Sequence, residues 1–260
     1  MGELQALLFD VDGTLADTER DGHRVAFNRA FEEAGLDWHW SPALYGRLLE
    51  VTGGKERIRH YLETERPDFR FDGDGAEAIA ALHRRKTHFY TDLLSTGQIP
   101  LRPGVERLLR EARRAGLRLA VATTTTPANV DALLTHTVGR EALDWFEVIA
   151  AGDIVPRKKP APDIYVWAME EMNLAPRHCL AFEDSENGVR SVLGSGIRSL
   201  VVTTNGYTRD HDFSGASLVL DGLGEPGEPA AVQSGDVAMT GDCVDVALLE
   251  RLHRSVWPPQ

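Results

Sequence analysis

Six short runs of the chain, residues 4–9, 117–122, 147–150, 179–182, 199–202 and 217–220, are dominated by apolar residues. A strand that meets water on one face alternates apolar and polar residues. A nearly unbroken apolar run needs cover on both faces, as in a parallel sheet between two helix layers. The segments between the runs supply that cover. Val105, Leu108, Leu109 and Ala112 fall on one helical face, as do Ile164, Trp167 and Ala168, with Glu171 at the rim. Gly116 and Gly196 follow helical stretches, where a C-terminal cap is expected. Strands alternating with helices predict an α/β fold with a parallel sheet.

One region breaks the alternation. Between the first run and the helix near Val105, strand character is weak and helical spacing takes over. Thr18 is placed to cap a helix whose apolar face is Phe27, Ala30, Phe31 and Ala34. Tyr45, Leu48 and Leu49 begin another, Ile58, Tyr61 and Leu62 continue after a glycine pair, and residues 76–94 form a long helical stretch. Helices inserted after the first strand read as a separate small domain over residues 17–98, hinged at Ala16-Asp17 and at 98–103, where Pro100 and Pro103 lie. The sheet domain then comprises residues 1–16 and 99–222. The stretch 223–260 opens on a Gly/Pro-rich composition, which predicts a flexible linker followed by a short helix over 244–252.

Composition narrows the partners. No apolar run approaches the ~20 residues of a membrane span. Cys179 and Cys243 form neither a C-x-x-C pair nor a metal-ligand spacing, so a reducing, cytoplasmic setting is expected. A formal net charge of −12 disfavours nucleic acid. It still permits an anionic small molecule in a locally positive pocket. A monomer binding a small molecule, with no nucleic acid and no membrane, is the expectation.

Four motifs carry candidate chemistry, each with a plainer reading. Asp10-Val11-Asp12-Gly13-Thr14 follows an apolar run, and in extended backbone Asp10 and Asp12 share one side. One carboxylate can attack while the other handles a proton; the plainer reading is a capped turn. Thr123 and Thr124 end the second run, where a hydroxyl can meet a phosphoryl oxygen or cap a helix at Pro127. Lys159, in Arg157-Lys158-Lys159-Pro160, can neutralise developing charge or sit in a solvated loop. Glu183-Asp184 after the fourth run can hold Mg²⁺ through hard oxygens or favour a helix start. All four lie at the carboxyl end of a predicted parallel strand, the edge where open α/β sheets bind ligands. Together they contain the parts of metal-assisted phosphoryl transfer.

In this order and spacing the motifs resemble the haloacid dehalogenase superfamily over about residues 4–221. The resemblance implies a Rossmann-like parallel sheet core with an inserted α-helical cap domain. Within the superfamily, Thr52-Gly53-Gly54-Lys55-Glu56-Arg57, the segment 23–28, the segment 83–87 and Ala120-Val121-Ala122-Thr123-Thr124-Thr125 are similar to the CbbY group of the β-phosphoglucomutase-like branch. One extra residue before His23 and the long tail depart from that group. CbbY proteins are associated with carbon fixation and with dephosphorylation of xylulose-1,5-bisphosphate, an inhibitory by-product of Rubisco. The resemblance thus implies a Mg²⁺-dependent sugar-phosphate phosphatase. Asp10 is then the nucleophile, Asp12 the acid and base, and Thr123 and Lys159 the groups that hold the phosphoryl oxygens. The metal ligands are Asp10, the Asp12 carbonyl and Asp184, with Glu183 nearby. The acid role of Asp12 calls for a raised pKa.

For the rest of the substrate, Lys55 and Arg57 are candidates for a second phosphate, with Gly53, Gly54 and Thr124 beside them. Glu19 and His23 are candidates for sugar hydroxyls, and Lys86 for the substrate or Asp12. His60, His136 and His211 are read as surface residues. A β-phosphoglucomutase-like phosphomutase, a phosphoglycolate phosphatase and a metabolite-binding pseudoenzyme are the rival readings.

Overall fold

β1 (Ala6–Phe9) is buried along its whole length, as its unbroken apolar run requires. The fold is that of a computed structural model, which describes residues 3–235 and 237–258. The outermost positions of the expected segments, 1–2 and 259–260, lie outside the described residues, as does 236. After β1 the chain enters a π-helical turn (Glu19–His23) that runs directly into α1 (Arg24–Glu33). α2 (Pro42–Leu48), α3 (Gly54–Glu65) and the long α4 (Gly75–Ser95) follow, with Ser41 and Asp74 capping α2 and α4 through their side chains. These helices close on their own aromatic cluster, built from Phe27, Phe31, Trp38, Trp40, Tyr45 and Tyr61. The expected helical insertion therefore has an apolar centre of its own.

The chain then returns through α5 (Val105–Arg114), β2 (Arg118–Thr123), α6 (Pro127–Thr137), β3 (Val148–Ala151), α7 (Asp163–Glu171), β4 (Cys179–Glu183), α8 (Glu186–Gly194), β5 (Ser199–Thr203) and β6 (Leu218–Leu220). β7 (Val232–Gly235) and α9 (Val246–Val256) end it. Among the described residues the sheet order is β3-β2-β1-β4-β5-β6-β7. β1 pairs in parallel with both β2 and β4, so the chain crosses from one side of β1 to the other at the centre of the sheet. Leu7 and Phe9 point into one apolar layer with α5, α6 and α9, while Ala6 and Leu8 point into the other with α7 and α8. Phe9 stacks on Phe182 of β4 at 4.4 Å between ring centres. The strands match the apolar runs to within a residue or two at each end.

The expected flexible linker is not one. β7 adds to β6 as an antiparallel edge strand. Glu225 accepts from the Gly104 N–H at 2.8 Å and from Arg107 Nε at 3.2 Å. α9, capped by Asp245, buries Leu248, Leu249 and Leu252 in the same layer as α5. The Gly/Pro-rich composition here serves tight turns on the sheet edge rather than mobility. No helix among the described residues is long and apolar enough to cross a membrane.

Candidate active site

The carboxyl ends of β1, β2 and β4, with the segment between β3 and α7 that carries Lys159, deliver the four motifs to one cavity, lined by Asp10, Asp12, Thr123, Thr124, Lys159, Glu183 and Asp184 among others. Lys159 Nζ donates to Asp10 Oδ1 and to Glu183 Oε1, each at 2.6 Å. Tyr165 Oη donates to the same Glu183 oxygen at 2.6 Å. Asn205 Nδ2 donates to Asp184 Oδ2 at 2.7 Å. Asp10, Glu183 and Asp184 each offer a carboxylate oxygen within 4.8 Å of the others, all buried. Burial drives the Asp10 carboxyl up to about 7, although Lys159 pulls it down and Glu183 adds to the rise. Burial, then Asp10 and Glu183, push Asp184 well above the carboxylate range. Asp10 and Glu183 hold Lys159 above its usual value against the burial that would lower it.

A metal ion suits this arrangement. The trio carries more negative charge than one lysine offsets, and Glu183 Oε2 is buried without a hydrogen-bond partner. Its donors are hard carboxylate oxygens, the kind Mg²⁺ prefers. The Asp12 side chain is not among them.

Asp12 instead faces the helical insertion. Thr18 does not cap the helix that follows. It lies in helical backbone with no side-chain cap, and its hydroxyl donates to Asp12 Oδ1 at 2.5 Å. His23 Nε2 lies 2.7 Å from the same oxygen, and Lys86 Nζ lies 2.6 Å from His23 Nδ1. An ammonium only donates, so Nδ1 must accept and the ring proton sits on Nε2, directed at Asp12. This overturns the expected raised pKa. Burial does work to raise Asp12, but the imidazole, the Thr18 hydroxyl and Lys86 outweigh it and hold the carboxyl well below its ordinary value. Both nitrogens of His23 are taken, which corrects its expected role toward sugar hydroxyls. Lys86 meets Asp12 through that ring.

The remaining candidates divide. Glu19 and Arg57 line the cavity, with Tyr45 Oη donating to Glu19 Oε2 at 2.5 Å and Arg57 Nη1 to Tyr45 Oη at 2.9 Å. Gly53 and Gly54 line an adjoining small cavity, together with His83 and Lys86, and Thr124, Glu19 and Arg57 line both. Lys55 does not join Arg57. Its ammonium lies 2.5 Å from Asp153, an acid after β3 that Lys158 also engages at 2.7 Å. That pairing spends the charge expected for a second phosphate and ties the insertion to the sheet domain. His211 lines the cavity and accepts from the Glu186 N–H at 3.3 Å, so it is not a plain surface residue.

Several lining residues have no counterpart among the sequence candidates: Asn205, Tyr207, Thr208, Asn187 and Ser185. Asn205 follows β5, and the strand-end criterion that found Thr123 and Glu183 would have found it. Tyr45 carries no such signal, because it arrives through the packing of the insertion.

A largely parallel sheet with an aspartate-bearing turn, an interposed lysine and an acid pair at one edge belongs to a known kind of hydrolase. The model of the haloacid dehalogenase-like hydrolase family matches residues 4–196, and the chain belongs to that family, as a phosphatase within it. It is similar to the CbbY protein of Cupriavidus necator, 50% identical over 226 residues that cover 87% of this chain and 88% of that one. The crystal structure of CbbY from Rhodobacter sphaeroides in complex with phosphate is 48% identical, covers 84% of this chain and 94% of that chain, and superposes with a TM-score of 0.77. β-Phosphoglucomutase from Clostridium difficile, 21% identical with a TM-score of 0.67 over 84% of this chain and 91% of that one, shares the fold.

Proposed function

We propose that this phosphatase hydrolyses a small sugar bisphosphate, xylulose-1,5-bisphosphate foremost, through an aspartyl-phosphate on Asp10, with Mg²⁺ as cofactor. The observation that carries the reading is the convergence of Asp10, Lys159, Glu183 and Asp184 beside Asp12 in one buried pocket. The substrate is supported by the R. sphaeroides relative, 48% identical, whose structure has been solved in complex with xylulose-1,5-bisphosphate.

Asp10 Oδ attacks phosphorus, the ester bond to the sugar oxygen breaks, and water then cleaves the acyl phosphate; one hard step becomes two easier ones. Two anions must meet for this, so positive charge has to face the reacting phosphate. Lys159 supplies it 2.6 Å from Asp10, and Thr123 offers a hydroxyl from the neighbouring strand end. Asp10, Asp184 and Glu183, with the Asp12 carbonyl, would hold Mg²⁺, whose charge when bound favours the ionised Asp10 and neutralises phosphoryl oxygens. Asp12 rests as the base, ready to take the proton of the attacking water. An incoming phosphate brings negative charge that raises the Asp12 pKa, so the carboxylate takes a proton from solvent as its Thr18 and His23 bonds give way to one with the leaving oxygen, and it passes that proton to this oxygen as the ester bond breaks. Glu19, Arg57 and Thr124 line the space for the sugar and its far phosphate, and the helical insertion acts as a cap that excludes water. A cytoplasmic protein of carbon fixation fits this chemistry.

The test is phosphate release with Mg²⁺ from xylulose-1,5-bisphosphate, ribulose-1,5-bisphosphate, phosphoglycolate and β-glucose-1-phosphate. Preference for the first supports the reading. Preference for a monophosphate removes the substrate, and an isomerised sugar phosphate without free phosphate would make the protein a mutase.

A further inference from the structure

Arg102 lies on the segment that leads from α4 back to the sheet domain, buried at 9% exposure. Its guanidinium serves main-chain oxygens from three separate loops. It donates to Gly13 O, to Thr203 O at 3.2 Å, to Thr204 O at 2.7 Å and to Asp221 O at 2.8 Å. The acid beside it, Asp17, is exposed and 3.7 Å from Nε. A buried cation that leans mainly on carbonyls is a costly way to stabilise a fold. What the guanidinium does well is hold several acceptors in fixed relation, because its donors form a rigid planar fork.

Two of the three loops touch Asp184. Gly13 has a φ of +88°, and a Cβ there would run into Asp184 Oδ2 and Asn205 Nδ2. The Gly13 turn is therefore the floor under that carboxylate. Thr204 immediately precedes Asn205, whose amide donates to Asp184 Oδ2 at 2.7 Å, so the β5 loop is its side wall. Arg102 grips both. Its own N–H donates to Leu15 O at 2.8 Å, and Leu101 bridges Ala16, which anchors the side chain to the strand joining the insertion to the sheet domain.

We infer that Arg102 is a positioning residue for the cation site: it sets the Asp184 carboxylate through Gly13 on one side and Asn205 on the other. The inference rests on the reading of Asp184 as a Mg²⁺ ligand. Mn²⁺ binding to the full-length protein, measured by titration calorimetry without substrate, tests it, with circular dichroism and thermal unfolding as checks on the fold. The variants are Arg102→Lys, which keeps the charge but not the fork, Asn205→Ala, and the two combined. Loss of a group that orients a metal ligand is expected to weaken Mn²⁺ binding by about tenfold or more in each single variant. The double variant should bind scarcely worse than the weaker single one, since both act along one path. Turnover of Arg102→Lys should recover as Mg²⁺ is raised, which a general loosening of the fold would not give. A folded Arg102→Lys whose Mn²⁺ affinity matches the parent overturns the inference and leaves the cation reading standing. Should Arg102→Lys not fold, unchanged affinity in Asn205→Ala overturns it. A parent protein that binds no Mn²⁺ removes the cation reading, and the inference with it.

Discussion

Replacement of Lys86 by methionine should make the protein more stable and less active. Burial drives this lysine down to about 8 from 10.5, a shift that Asp12 and Glu19 oppose and Arg57 adds to. Keeping it charged near neutral pH therefore costs about 3 kcal/mol. The rings of Phe27 and Tyr90, each 5.0 Å from the ammonium, return part of that, about 0.5–1 kcal/mol apiece. The net cost is about 1–2 kcal/mol, which an unbranched apolar side chain of similar length removes. Below pH about 8 the lysine is charged in the folded and unfolded chain alike, and the folded chain bears the whole cost. Between about 8 and 10.5 the unfolded chain holds a proton that the folded one has shed, so the parent's stability rises with pH across that window. Urea unfolding near pH 7 should show Lys86→Met ahead by about 1–2 kcal/mol, and the gap should shrink by pH 9.5. Phosphate release should fall by about tenfold or more, because His23 loses the donor that fixes its proton toward Asp12. A variant less stable than the parent near pH 7, or a gap that ignores pH, would refute this reasoning.

Asp10→Asn should abolish phosphate release with Mg²⁺ while its urea midpoint stays level or rises, since the buried carboxyl it replaces is already disfavoured; retained turnover would remove the nucleophile. Lys159→Met leaves the buried carboxylates of Asp10 and Glu183 without their lysine and should cost about 3–5 kcal/mol, less when Mg²⁺ is added; urea curves with Mg²⁺ and with a chelator measure both. Gly13→Ala forces a residue with a Cβ to a φ of +88° against Asp184. It should lower the thermal midpoint and weaken Mn²⁺ binding together. Burial, with Lys86 and Lys55 beside it, holds His83 neutral down to about 3. The unfolded chain gains a proton first, so this group costs the parent about 1 kcal/mol per unit as pH falls below about 6.5. His83→Gln should flatten that loss in urea titrations at pH 7 and pH 4.5.

How legible the site was follows from what each residue depends on. Asp10, Thr123 and Glu183 stand at the ends of strands whose apolar runs mark them, and a parallel sheet aligns those ends without further instruction. Lys159 was legible only by its place in that order, since its loop carries no periodic signal. The tail was misread because composition alone decided it. β7 is exposed along its length, and its pairing is set by the free edge of β6 and by Glu225 against Gly104, neither visible locally. Lys55 was misassigned for the same reason: its partner Asp153 lies on a loop of the sheet domain, far along the chain.

Asp12 shows the limit most sharply. Its neighbours in sequence are an anion two residues away and a hydrophobic strand, and both argue for a raised pKa. Its neighbours in space are Thr18, His23 and, through the imidazole, Lys86 from α4. The insertion thus decides the protonation state of a residue that the sheet domain holds in place. The cost appears at Lys86, kept as a cation where a neutral side chain would be more stable. A helical insertion that only shielded the site from water would have no use for that charge. Its retention argues that these helices set the proton chemistry as well as covering it.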